Sequence, residues 1–151
     1  MRRPLPALAL AIGIASPALA QQAMPGQPAT WQTFQTDEVC FAIHANPKHQ
    51  LMLMRGGGEW AAALVTESGI QNGVEIDGGL MTTDTRPVRW KAERAEDGNT
   101  VFSFPVTEAD IDRMAAAQYV ALKDDTGYAF AVTEPPTGSV AAVKAWLAGC
   151  G

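Results

Sequence analysis

Basic residues are scarce in this chain, and the scarcity excludes the most charge-dependent partners. There are 11 Lys and Arg against 16 Asp and Glu, which gives a net charge of −5. Two of the arginines, Arg2 and Arg3, lie in the first few residues, so the chain beyond residue 20 carries nine basic residues and a net charge of −7. The nine are scattered, whereas a nucleic-acid surface needs a basic stripe. We therefore expect no nucleic-acid partner and no electrostatic docking on anionic lipid.

Long apolar runs are also missing, because no segment reaches the roughly 18 apolar residues that a membrane helix needs. The apolar stretch 5–14 follows two arginines and precedes Ala18-Leu19-Ala20, an A-x-A cleavage signal. This order predicts a secretory signal peptide over residues 1–20, cleaved near Ala20. No lipobox cysteine follows it. We expect a periplasmic or secreted protein with no membrane span.

Cysteine is sparse, since Cys40 and Cys150 are the only two. In an oxidising compartment two cysteines most often pair. We predict a disulfide that closes a loop of about 110 residues, worth on the order of 4–5 kcal/mol in the chain-entropy model. The alternative is two separate thiols, one of them a metal ligand or redox group. The spacing is not C-x-x-C, so thioredoxin-type chemistry has no support.

Catalytic and phosphate-binding motifs are absent as well. Nothing matches G-x-S-x-G or the glycine-rich phosphate fingerprints, and Ser139 has only His44 and His49 as available bases. Asp125-Thr126-Gly127 has the letters of an aspartic protease motif, but that chemistry needs two carboxylates sharing a proton. No second copy exists, so we interpret the tripeptide as a turn. We expect no enzyme and no cofactor.

The four tryptophans are the next candidates for a recognition surface. They can form an aromatic surface for glycans or peptides, but packing in a core or on a sheet is their more common role. We expect packing for all four: Trp31, Trp60, Trp90 and Trp146.

The chain divides into a signal peptide (1–20), a flexible leader (21–30) and one β-rich domain (31–151). The leader is rich in proline and glycine without periodicity, and about 131 residues after cleavage fit one domain with one core. Short β-like runs separated by turn signals predict strands. They cover residues 31–34, 39–45, 50–55, 60–66, 74–77, 87–95, 100–106, 119–123 and 128–133.

Two helices are predicted late in the chain. Thr107 is a good N-cap, and the acids Glu108 and Asp110 fit the first turn of a helix that runs to about Gln118. A second helix is expected over 139–148. The fold class is therefore α+β: an antiparallel β-sandwich or strongly bent sheet with two short helices.

The order of these elements resembles that of the invasion-associated locus B family of small exported alphaproteobacterial proteins. The resemblance is carried by an opening Trp-Gln strand, a cysteine-bearing strand followed by a hairpin, a segment that opens an acidic hairpin, a helix start, a last strand and a terminal helix that ends near a cysteine. The corresponding segments are Trp31-Gln32, Pro87-Val88-Arg89-Trp90, Val106 to Asp112, Ala129 to Val132 and Gly138 to Val143. The resemblance implies a non-enzymatic envelope protein, in some members linked to host-cell entry. It supplies no active-site residues.

The stretch CFAIHANPKHQLMLM concentrates one cysteine, both histidines and two of the six methionines. Strand alternation puts Phe41 and Ile43 on one face, and Leu51 and Leu53 share a face of the next strand. Placing the apolar faces together predicts a hairpin in which Phe41 pairs with Leu53 and Ile43 with Leu51.

This register leaves one candidate metal site. Cys40 and His44 are roughly 13 Å apart along the strand, so they cannot share an ion. The predicted turn at Asn46-Pro47-Lys48 places His44 diagonal to Met52, with Met54 on the same face. Cu(I) prefers such ligands, although methionine is also an ordinary filler of core gaps.

The sequence therefore predicts a non-catalytic exported protein that binds a protein or cell-envelope partner. The alternative is a periplasmic copper-binding protein that uses His44, Met52 and Met54. An unrecognised hydrolase is the third hypothesis, and it requires a pocket with paired ionisable groups.

Overall fold

The computed structural model describes residues 31–44, 49–67, 73–136 and 138–150. Within these residues nine strands form one antiparallel sheet in the spatial order β1-β2-β3-β4-β7-β6-β5-β8-β9. Their bounds are β1 Trp31–Gln35, β2 Val39–His44, β3 His49–Gly56, β4 Glu59–Thr66, β5 Glu75–Met81, β6 Thr85–Arg94, β7 Thr100–Pro105, β8 Val120–Lys123 and β9 Ala129–Thr133. The predicted mostly antiparallel sheet is confirmed. The predicted signal peptide, leader and Asn46–Lys48 turn lie outside the described residues.

The described part of the chain also contains two short helices late in the sequence, as predicted: α1 (Glu108–Ala116) and α2 (Ser139–Ala148). Helix α1 begins at the predicted N-cap, Thr107, in a capping box with Asp110. Helix α2 follows Gly138, whose left-handed φ of 82° favours glycine. No helix in the described ranges is long and apolar enough to cross a membrane.

The sheet curls, so that its last strand returns to its third. Strand β9 contacts β3, and the hydroxyl of Thr133 donates to the carbonyl oxygen of His49 at 3.0 Å. The concave side, here called the inner face, holds the larger core. At its centre Trp90, Phe102 and Phe130 meet in tilted and edge-to-face contacts of 4.9–5.3 Å between ring centroids, a geometry that aromatic quadrupoles favour.

Both helices belong to this inner core. Ile111 and Met114 of α1 and Val143 and Leu147 of α2 are buried in it, because each helix turns its apolar stripe toward the sheet. Helix α2 contacts β2 and β3. The Cys40–Cys150 disulfide joins β2 to the residue beyond α2, which confirms the predicted pairing.

A glycine permits the close approach of β5 and β8. A Cβ on Gly78 would overlap the carbonyl oxygen of Lys123 and lie 2.7 Å from Nε1 of Trp90, the same nitrogen that donates to that carbonyl at 3.1 Å. We expect Gly78→Ala to lower the free energy of unfolding by about 1–3 kcal/mol, as overpacking does. Urea denaturation measures it. Gly79→Ala, whose nearest contact is a methyl of Thr85 at 3.2 Å, is the control, and an equal loss there would contradict the steric explanation.

The predicted register of β2 and β3 is wrong by one residue. Phe41 lies opposite Met54 and Ile43 opposite Met52, whereas Ala42 lies opposite Leu53. Because side chains alternate, a one-residue slip exchanges the faces of one strand relative to the other. The leucines of β3 therefore share the inner face with Ala42 and Cys40, and its methionines lie on the convex side, here called the outer face.

Candidate functional site

The outer face carries a second, separate apolar cluster. Its buried members come from β1 to β4 and from β7, and Val65 and Ala95 pack against them. The members are Phe34, Val39, Phe41, Ile43, Met52, Met54, Ala61, Ala63 and Val101. We call this set the outer apolar face. It is the candidate functional site because its chemistry differs from that of the rest of the same sheet surface.

Cross-strand pairs build the outer apolar face. Phe34 stacks on Phe41, its partner across β1 and β2, with ring centroids 5.3 Å apart. The same face continues from Ile43 to Met52 and on to Ala63 through the registers of β2, β3 and β4. Directly opposed apolar pairs stabilise a sheet. The registers place these residues side by side, so they form one continuous surface.

Beyond β7 the outer surface changes character abruptly. On β5 and β6 the register places Asp77 opposite Arg89 and Glu75 opposite Lys91. The side chains of Arg89 and Asp77 form an ion pair at 2.9 Å and are 62% and 78% exposed. This is the ordinary state of a solvated sheet face. The same surface is thus polar and exposed over β5 and β6, and apolar and buried over β1 to β4.

The sequence carries a signal for this second apolar face. Val39–Ile43, Leu51–Met54 and Ala61–Val65 are uninterrupted apolar runs with no alternating polar position. Such runs are typical of strands buried on both faces. The predicted pairing of Phe41 with Leu53 presupposes a single core face, which is why the predicted register is wrong by one residue.

The structure does not bring the three candidate copper ligands together. His44 follows Ala42 on the inner face, where its ring lies 5.4 Å from that of Trp31. Met52 and Met54 are buried in the outer cluster, on the opposite side of the sheet. Within the described ranges no group of three or more His, Cys, Asp or Glu side chains is placed to hold a metal ion. His44 therefore does not lie on the same face as Met52 and Met54, as the proposed copper site requires.

The other singled-out residues have structural roles. The carboxylate of Asp124 accepts from the backbone N–H of Thr126 and of Tyr128 at 2.9 and 3.0 Å, so Asp125-Thr126-Gly127 forms a turn. The hydroxyl of Ser139 is buried and donates to the carbonyl oxygen of Pro136 at 2.6 Å.

The tryptophans pack, as predicted. Trp31 and Trp90 are buried in the inner core, and Trp60 and Trp146 pack against it. The guanidinium of Arg55 stacks on Trp60 at 4.7 Å from the ring centroid, an arrangement that stabilises by cation–π attraction.

His44 gives the domain a predictable response to acid. It is 5% exposed, and its Nδ1 has no hydrogen-bond partner among the described residues. Burial lowers the pKa of His44 below its ordinary value of 6.5, since desolvation disfavours the charged ring. The unfolded chain therefore binds the proton first. Stability is fully present above about pH 6.5 and is lost as the pH falls toward the folded-state pKa.

We expect the urea midpoint of the wild type to fall between pH 7 and pH 5, and that of His44→Gln to fall less, because glutamine does not titrate. Chemical denaturation at a series of pH values measures both. Parallel curves for the two proteins would contradict the assignment to His44.

No family model, curated protein or solved structure matches this chain.

Proposed function

We propose that this chain is a non-catalytic exported protein that binds a protein or cell-envelope partner through the outer apolar face. The observation that carries the proposal is the contrast within one surface: apolar and buried over β1 to β4, polar and solvated over β5 and β6. Apolar surface that a domain exposes marks interaction sites, and Val65 and Ala95, which pack against the outer apolar face, are only partly buried. The Cys40–Cys150 disulfide is compatible with export, since such bonds persist in oxidising compartments.

The resemblance to the invasion-associated locus B family supports the same class of function, because the family implies a non-enzymatic envelope protein. The predicted signal peptide supports a periplasmic or secreted location. The residues considered for catalysis support the same proposal, since Ser139 donates to a backbone carbonyl oxygen and Asp125-Thr126-Gly127 lies in a turn held by Asp124.

Site-specific cross-linking tests the proposal. A photo-reactive residue at position 65, beside the outer apolar face, is expected to capture a partner from the cell envelope, and one at position 132 on β9 is not. Val65 packs against the outer cluster, whereas Val132 is exposed elsewhere on the sheet.

Matched charge variants complete the test. With the photo-reactive residue kept at position 65, Ala95→Lys, which also changes a residue packed against the outer cluster, is expected to abolish the capture, and Val132→Lys to leave it intact, with the folded state of each checked by circular dichroism. Equal capture by both variants, or turnover of a substrate by the purified protein, would overturn the proposal.

A further inference from the structure

Both histidines of the chain lie at one end of the inner face. On β2, His44 follows Ala42 at the two-residue spacing that keeps side chains on one side of a sheet, and Ala42 belongs to the inner core. On β3, the same spacing places His49 with Leu51, which is also an inner-core residue. The chain has no other histidine, so the fold gathers all of its imidazole side chains on one surface.

The register of β2 and β3 makes the two histidines diagonal neighbours. Ile43 lies opposite Met52. One position further along β2, His44 therefore faces Leu51, and His49 lies two residues before Leu51 on β3. Diagonal residues on one face are about 7–8 Å apart, and their Cβ atoms are somewhat closer. Two histidines one helical turn apart, with Cβ atoms about 5–6 Å apart, hold a single zinc ion in metalloproteases. One metal ion can therefore bridge the two rings.

His44 has a ring nitrogen available for such an ion. Its Nδ1 is buried and has no hydrogen-bond partner among the described residues, whereas buried polar atoms are normally satisfied. The ring of Trp31, with its centroid 5.4 Å away, does not satisfy it, since the Nε1 of Trp31 is also without a partner in the described part of the chain. Imidazole is the commonest metal ligand of proteins, so a bound ion accounts for the unpartnered nitrogen of His44.

The surroundings of the pair define the kind of ion that fits. His49 is half-buried, whereas His44 is 5% exposed, so an ion reaches His44 from the side of His49. Within the described ranges no third His, Cys, Asp or Glu joins the two histidines, and water therefore completes the coordination. Imidazole ligands suit Zn²⁺, Ni²⁺ and Cu²⁺, of which Cu²⁺ binds most tightly.

We propose that His44 and His49 form a binding site for a divalent transition-metal ion, with two imidazole ligands and water in the remaining positions. This site differs in ligands, face and metal class from a Cu(I) site built on His44, Met52 and Met54. The register that places the two methionines on the outer face is the same register that brings His49 beside His44. The inference concerns the inner face and is independent of the partner proposed for the outer apolar face.

Cu²⁺ binding to the purified, disulfide-bonded protein tests the site. The ion is titrated near neutral pH by isothermal calorimetry, with glycine as a competing chelator that suppresses weak binding to carboxylates. Electron paramagnetic resonance of the complex counts the nitrogen ligands through their hyperfine splitting. We expect one ion per chain and two imidazole nitrogens bound to it.

Variants assign the ion to the two histidines. His49→Gln and His44→Gln are each expected to weaken Cu²⁺ binding by about tenfold or more, since loss of even an outer-shell partner costs a metal site that much. His49 is the more exposed of the two, so its variant tests the site even where His44→Gln disturbs folding. Circular dichroism checks the folded state of each variant.

Exchanging two neighbouring residues gives the matched control. His49→Gln with Gln50→His keeps two histidines in the chain but moves one imidazole to the opposite face of β3, because side chains alternate along a strand. We expect this exchange variant to bind Cu²⁺ as weakly as His49→Gln alone.

Three results would overturn the inference. A wild-type protein without saturable Cu²⁺ binding would show that the two histidines hold no ion. Undiminished binding by folded His49→Gln would place the ion elsewhere in the chain. Wild-type affinity in the exchange variant would show that binding depends on the number of histidines and not on their shared face.

Discussion

Replacing Cys40 and Cys150 together by alanine is expected to lower the free energy of unfolding by about 4–5 kcal/mol in the chain-entropy model. The disulfide spans 110 residues, so its loss returns almost the whole domain to an unrestrained unfolded ensemble. For a domain with a total stability of about 5–15 kcal/mol, this is a large fraction. Urea denaturation of the wild type and the double variant measures the change.

The position of the disulfide also predicts which element becomes less stable when the bond is absent. Helix α2 is held to β2 and β3 by Val143, Leu147 and the disulfide at its end. Without the bond, the carboxyl-terminal helix is the element most easily released. Hydrogen exchange should therefore quicken first in α2 and only later in β3 and β4.

Two controls isolate the covalent link. Cys40 is fully buried, so part of any loss in a variant comes from the changed side chain. Reduction of the wild type with a thiol avoids that change, and it should produce a similar loss while leaving the double variant unaffected. A loss below about 1 kcal/mol under reduction would show that the unfolded chain is already compact near these residues.

The sequence predicted those parts of the fold that depend on short-range chemistry. Thr107 as N-cap, the disulfide pair and the nine β-like runs followed from local residue preferences and from cysteine count. These signals act over a few residues or follow from the number of cysteines, and at these positions the local preferences agree with the tertiary structure.

The predicted register of β2 and β3 was wrong because it depends on whether the sheet buries one face or both. With Phe41 and Ile43 apolar on one side of β2, and Cys40 and Ala42 on the other, neither face is marked as the solvent side. Register is strongly specified only where the two faces differ. The copper hypothesis depended on that register, so it failed with it, and the outer apolar face emerged in its place.

Asp110 is the second position where a single change should have a large effect. It lies in the first turn of α1, is 2% exposed, and accepts from Nε and Nη2 of Arg86 at 2.8 and 2.6 Å. The backbone N–H and hydroxyl of Thr107 also donate to it, at 2.8 and 3.1 Å. One carboxylate thus caps the helix and joins it to β6.

We expect Asp110→Ala to lower the free energy of unfolding by about 3 kcal/mol, since it removes charge-assisted hydrogen bonds that a buried carboxylate accepts from Arg86 and Thr107. Asp112→Ala is the matched control on the same helix. Its side chain is 60% exposed and pairs with Lys144 at the surface, so its loss should stay within about 1 kcal/mol. Urea denaturation at pH 7 compares the two.

The pH dependence separates this ion pair from simple packing. Burial alone would raise the pKa of Asp110, but hydrogen bonds from Arg86 and Thr107 outweigh burial and lower the pKa below its ordinary value of 3.8. The stabilisation is therefore fully present above about pH 3.8 and is lost as the pH falls through the folded-state value. The difference between wild type and Asp110→Asn should be constant near neutrality and shrink in strong acid. A difference that stays the same down to the acid limit would assign the role of Asp110 to packing, because only a carboxylate loses its partners on protonation.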